Sequence, residues 1–331
     1  MRVNGPSRRR MIAISAAAAG MALLPHQAEA APDVLTWRGQ TMGAQASLVL
    51  HHPDGRHAAR LRDDVLAEMR RLERIFSLYL DDSDLRRLNR QRVLAAPPPE
   101  MVEILRQSRD AWDLTGGAFD PTVQPLWAAY GRHFSQADAS EGGLPAQELR
   151  DCLDRIGLDR LLVSPDRIEL PVSGSELTFN GIAQGYITDR VVDLLKAGGI
   201  ERAMVDMGES RAIGARPDGT GWRVGIADPQ RADRIVEVLE VADRAVATSS
   251  PYGFRFDPQG RFSHILDPRT GATPQLHASV TVVAGRAALA DALSTAFNLM
   301  RLGDIESALR KVSGVEAHIL PLGEGSSLIR L

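Results

Sequence analysis

Residues 222–248 read WRVGIADPQRADRIVEVLEVADRAVAT, and this run decides the fold. Three segments rich in β-branched residues, Trp222–Ile226, Ile235–Val241 and Ala245–Thr248, follow one another across short polar breaks. A fourth strand is expected at Phe262–Ile265. Parallel neighbours would need a crossover of a dozen or more residues between them, normally a helix, and the run has no place for one. It therefore predicts an α+β protein with a mainly antiparallel sheet flanked by helices, not an alternating doubly wound fold.

Upstream of that run, a strand is expected at Ala44–Leu50, and Leu61, Val65, Met69, Leu72 and Phe76 recur at helical spacing. The prolines 97–99 introduce a second helix, Glu100–Leu114, which Gly116 and Gly117 stop. Residues 135–143 are polar and glycine-containing, an exposed loop. Short strands are expected at Arg160–Val163, Glu176–Phe179 and Ala203–Asp206, with a helix at Ile182–Ala197. Downstream come a strand at Ser279–Val283, helices at 288–298 and Ile305–Val312, and a terminal strand pair.

The 331 residues suffice for one large domain or two small ones. Ser7-Arg8-Arg9-Arg10-Met11-Ile12 leads into an apolar stretch through Leu24, then the small-x-small site Ala28-Glu29-Ala30. This predicts a twin-arginine signal over residues 1–30, a mature chain over 31–331, and export to a periplasm. The stretch is too short and alanine-rich for a good membrane span, so no anchor is expected after cleavage. Removing residues 1–30 takes four Arg and one Glu, leaving 35 basic against 41 acidic side chains and a net charge of −6. Such a chain has no global attraction for nucleic acid or anionic lipid. Cys152 is the lone cysteine, which excludes an internal disulfide.

Four clusters concentrate chemistry-bearing residues at element ends: Thr41-Met42-Gly43, residues 115–122, Asn180 to Tyr186, and residues 263–271. Neither a dinucleotide fingerprint nor a Walker loop is among them. The third opens a helix, where free N–H groups could meet an anion; Asn180 as a plain N-cap is the competing account. In the fourth, Asp267-Pro268-Arg269-Thr270-Gly271 is a turn sequence. His264 just before it is either an acid or base near neutrality or a satisfied core histidine. His51, His52, His57 and His133 read as surface, and no His/Cys spacing suggests zinc.

In the helix at 288–298, Asp291 and Thr295 sit one turn apart on one face, with Ser294 and Asn298 beside them and no long charged side chain. A carboxylate and a hydroxyl so placed could face one hard cation, such as Mg²⁺. A water-capped polar stripe, or Thr295 bonding its own turn, would account for the pattern equally well.

Taken in order, these clusters resemble the ApbE family of FAD:protein FMN transferases. The likeness runs from Thr41-Met42-Gly43 to about Phe297. It takes in Phe76-Ser77-Leu78-Tyr79 with Ser83-Asp84-Leu85 and Leu88-Asn89, Gly117-Ala118-Phe119-Asp120-Pro121-Thr122, and Gly181-Ile182-Ala183-x-Gly185-Tyr186 with Asp189. Ala247-Thr248-Ser249 and Ser263-His264-Ile265-x-Asp267-Pro268-x-Thr270-Gly271 complete it. The resemblance implies a T-fold-like α+β architecture and Mg²⁺-dependent transfer of FMN from FAD to a Ser or Thr hydroxyl of a partner flavoprotein, with release of AMP. By motif, Met42, Tyr79, Ala118, Phe119, Asp120, Thr178, Gln184 and Ile265 are expected to line the FAD site. The Gly181 carbonyl, Asp291 and Thr295 are expected to hold the metal, and His264 to accept the proton. Thr178 and Gln184 depart from the Asp and Lys usual in the family. The export signal and these departures are similar to the NosX-like subgroup, which implies an exported acceptor such as a NosR-like or other respiratory electron-transfer subunit. Alternatives are an FAD pyrophosphatase giving FMN and AMP, and a non-catalytic flavin-binding or flavin-delivery protein.

Overall fold

The computed structural model describes residues 21–23, 33–323 and 326–331. The expected leader, residues 1–30, lies outside them apart from Met21–Leu23. The strands are β1 (Met21–Leu23), β2 (Val34–Thr41), β3 (Ala44–His51), β4 (Val93–Ala95), β5 (Leu162–Val163), β6 (Arg167–Glu169) and β7 (Arg202–Asp206). They continue as β8 (Ser210–Ile213), β9 (Trp222–Asp228), β10 (Arg231–Val241), β11 (Ala245–Ser249), β12 (His277–Ala284), β13 (Glu316–Pro321) and β14 (Ile329–Arg330). The helices are α1 (Gly55–Phe76), α2 (Asp84–Gln91), α3 (Pro99–Thr115), α4 (Gln124–His133), α5 (Ala146–Leu153), α6 (Ala183–Ala197), α7 (Ala287–Phe297) and α8 (Leu302–Leu309).

The centre is an eight-stranded antiparallel sheet in the order β14-β13-β12-β11-β8-β7-β3-β2. Side chains alternate across it, as a pleated strand requires. Ala203, Val205, Ala247, Val280 and Val282 face the main core beneath α1, α3, α6 and α7. Met204, Val246 and Val283 face the other way, onto Trp222, Val224, Ile226, Leu239 and Val241. The run that opened the sequence reading is thus split. The β9–β10 hairpin, joined by β1, forms a separate sheet that covers the far face, and only β11 returns to the central one. Two covers explain why every residue of β11 and β12 is buried.

Thr41-Met42-Gly43 is the tip of the β2–β3 hairpin. Met42 (φ 49°) and Gly43 (φ 82°) are both left-handed, as a two-residue turn matched to strand twist demands. Two expected strands are absent. At Glu176–Phe179 the Asn89 amide donates to the Leu177 carbonyl and accepts from its N–H, standing in for a neighbouring strand. Phe262–Ile265 makes a single bridge, Arg255 to Ser263, because the loop folds back on itself. The helix expected at Ile182 begins at Ala183, and its cap is Ile182, not Asn180.

Candidate active site

Two helices fix the floor of the site by capping each other. Asp291, on α7, accepts from the Gly185 N–H in the first turn of α6 at 3.0 Å. Asp189, on α6, accepts from the Ala287 and Ala288 N–H groups at the start of α7, at 2.8 and 3.0 Å. Each acid satisfies donors that its partner helix cannot satisfy itself. The approach requires Gly185, since a Cβ there would stand 2.7 Å from the Ala288 Cα.

The two acids differ in charge balance. Asp189 is paired with Arg211 at 2.6 Å and Arg286 at 3.3 Å. Burial pushes the Asp291 carboxyl well above the usual range, the Gly185 N–H opposing and Asp189 adding to the shift. Glu209 is raised by burial and then by Asp291 and Asp206, and its Oε2 has no partner. Among the described residues no Arg or Lys pairs with Asp291 or Glu209, so a cation beside them would relieve a large desolvation cost. Thr295 Oγ1 completes the floor, close enough to the Gly181 Cα that a Cβ would come within 3.1 Å of the hydroxyl. Carbonyl, carboxylate and hydroxyl oxygens are the donors a hard cation prefers, and the Thr295 hydroxyl bonds across to Ser249, not to its own turn.

Above this floor opens a cleft of about 1050 Å³ of empty space, its mouth included. Eleven of the twelve expected site residues line it: Met42, Ala118, Phe119, Asp120, Thr178, Gly181, Gln184, His264, Ile265, Asp291 and Thr295. Tyr79 lies instead in an adjoining cavity with Arg86, Arg90 and Glu176, and Trp127 and Asn180 line both.

Individual residues refine the expectation. Asp120 offers no free carboxylate. Its Oδ1 accepts from the Thr122 N–H and hydroxyl, its Oδ2 from the Trp112 indole and the Leu158 N–H. It shapes the wall and presents backbone. Gln184 is buried against Gly208, and its Nε2 has no partner among the described residues. A buried amide donor without a partner, on a residue that lines the cleft, is a group that a bound acceptor would satisfy. The Thr178 hydroxyl accepts from the Asn180 N–H.

His264 is half-buried, and its Nδ1 lies 3.0 Å from the Phe254 carbonyl. A carbonyl only accepts, so Nδ1 carries the proton and Nε2 keeps a basic lone pair. Burial pushes the imidazole down from its ordinary value, against the carbonyl contact, keeping it neutral at pH 7. Phe254 is held by Trp127, stacked at 6.3 Å, and by Phe256. That aromatic layer includes Trp127, which sequence reasoning missed; a helix-borne tryptophan carries no sign that it will turn toward a cleft. His51, His52, His57 and His133, read as surface, are half-buried, and His57 bonds the Gly198 carbonyl.

The family model described as "ApbE family" matches residues 42–319. The chain belongs to the ApbE family. A relative from Vibrio cholerae named FAD:protein FMN transferase is 31% identical over 293 residues, covering 86% of this chain and 85% of its own. One of the same name from Treponema pallidum is 30% identical, covering 79% and 76%. Among solved structures, the Pseudomonas stutzeri flavinyl transferase ApbE superposes with a TM-score of 0.76 at 30% identity, covering 90% of this chain and 94% of that one. The ApbE-family fold thus carries the cleft described above.

Proposed function

We propose that this ApbE-family chain is an FAD:protein FMN transferase that moves FMN from FAD to a Ser or Thr hydroxyl of an exported flavoprotein, using Mg²⁺ and releasing AMP. The observation that carries the reading is His264: a neutral histidine with a defined tautomer faces the same cleft as the cation-ready floor. The proton of the acceptor hydroxyl passes to Nε2. The hydroxyl oxygen forms a bond to the FMN-side phosphorus as the pyrophosphate P–O bond breaks, and AMP departs with that electron pair. Gly181, Asp291 and Thr295 would hold Mg²⁺, which supplies charge neutralisation on the phosphate oxygens when bound. Gln184 offers its amide to a ligand oxygen, while Met42, Phe119 and Ile265 exclude water from the apolar part of the cleft. The nucleophile belongs to the partner, so the chain needs no catalytic Ser or Cys. Cys152, buried away from the cleft, fits that account.

The twin-arginine signature supports a periplasmic setting and an exported acceptor. The test is an incubation of mature protein with FAD, Mg²⁺ and a flavin-acceptor domain. A fluorescent covalent adduct on the acceptor is expected. FMN and AMP released at full rate without acceptor would make the chain an FAD pyrophosphatase. FAD that binds but does not turn over would make it a flavin-delivery protein.

A further inference from the structure

Thr295 is the first of three hydroxyls in contact. Ser249 Oγ, at the end of β11, lies 3.3 Å from Thr295 Oγ1 and 2.8 Å from Ser294 Oγ. Ser294 Oγ donates to the Asp291 backbone carbonyl at 3.0 Å. A hydroxyl has one proton and two lone pairs, whereas a carbonyl has lone pairs alone. The Ser294 proton is therefore committed to Asp291, and Ser294 accepts from Ser249. With the Ser249 proton committed in turn, the remaining contact is satisfied only if Thr295 donates to Ser249. The proton order is Thr295 to Ser249 to Ser294 to the Asp291 carbonyl.

That order has a consequence in the cleft. With its proton turned back toward β11, Thr295 directs lone pairs, not hydrogen, past the Gly181 Cα. Asn298 holds the arrangement, its Nδ2 donating to the Ser249 and Ser294 carbonyls at 3.0 and 2.8 Å. Ser249, Asp291, Ser294 and Asn298 are buried, so water does not compete for the contacts among them, while Thr295 is half-buried at the cleft.

We infer that Ser249 is a positioning residue that takes the Thr295 proton and so fixes the threonine oxygen as a cation ligand. The inference rests on the proposed reading of Gly181, Asp291 and Thr295 as an oxygen-donor cation site, and it adds the residue that orients one donor. An outer partner that orients a ligand typically changes metal affinity 10- to 100-fold.

The test is Mg²⁺ titration of the FAD-free protein by calorimetry, with the melting midpoint of each variant measured without metal. Ser249→Ala should weaken Mg²⁺ binding about tenfold or more, with little change in the metal-free midpoint. Thr295→Val should weaken it at least as much, and Ser249→Ala in that background should add nothing, because the donor it orients is gone. Ser294→Ala frees the Ser249 proton to point at Thr295 and should also weaken binding; it carries the test if Ser249→Ala does not fold. Asp291→Ala should lose the ion. Unchanged affinity in Ser249→Ala while Asp291→Ala loses the ion overturns the positioning role and leaves the site standing. Fully additive losses in the double variant overturn it too. Wild-type affinity in Asp291→Ala overturns the site, and the role of Ser249 with it.

Discussion

The Gly185 N–H donates to the Asp291 carboxylate at 3.0 Å, and this contact joins two helices through residues 106 apart in the chain. It uses Asp291 Oδ2 for structure, on a residue that also lines the cleft. A Gly185→Ala change would drive a Cβ into the Ala287 carbonyl and to 2.7 Å from the Ala288 Cα. Backbone cannot yield as a flexible side chain does. The expected cost is about 3 kcal/mol or more, read as a lowered urea midpoint, and FAD binding should weaken with it. An unchanged midpoint would mean that the helices separate freely.

Asp189→Asn tests the other half of the reciprocal cap. The amide oxygen can still accept one N–H at the start of α7, but buried Arg211 loses its countercharge. Leaving one member of a buried pair uncompensated costs about 3–5 kcal/mol. Asp193, 3.9 Å from the same guanidinium, sets the loss toward the lower end. Denaturant titration measures it.

Asp291→Ala should abolish Mg²⁺-dependent turnover while the fold persists, because the α6 start loses only one cap. Full activity in this variant would refute the cation assignment.

His264→Ala should slow the chemical step by roughly 10²–10⁴-fold, seen in single-turnover flavin transfer. In the wild type the base works only when neutral, so kcat/KM should be flat at neutral pH and fall toward acid. Burial pushes His264 down, placing that fall below the ordinary imidazole value. The same sign holds for stability. His264 and His277 are both depressed, so their contribution is present above the unfolded value and is lost as pH falls through the folded one. A rate that rises toward acid would exclude His264 as the base.

Gln184→Ala removes the buried amide without a partner. If that amide meets an oxygen of the bound dinucleotide, FAD affinity should fall by about tenfold, the scale of one hydrogen bond. Equal affinity would assign Gln184 to packing against Gly208 alone.

Much of this protein was legible in the chain itself. The close succession of β segments after Trp222 made the sheet antiparallel, since local connection length limits how neighbours can run. The periodicity of Leu61 to Phe76 marked α1, and the Pro and Gly at 97–99 and 116–117 bounded α3, because these effects act within one turn of helix. The order of the ApbE-like clusters picked out twelve expected site residues, and eleven of them line one cleft.

Only the tertiary structure decided the rest, wherever a group's partner is distant in sequence. It moved β9 and β10 off the central sheet, since either face of a pleated strand may be covered and the pattern does not say by what. It replaced the expected strand at Glu176–Phe179 with a segment bonded by Asn89, 88 residues away. Likewise it gave His264 its tautomer through the Phe254 carbonyl. The polar stripe on α7 was plain in the sequence, but which way the Thr295 proton points depends on Ser249, on a strand that the helix itself cannot see. Local sequence sets periodicity and turns; contacts between distant segments set charge, tautomer and proton order, and the chemistry of the cleft lies there.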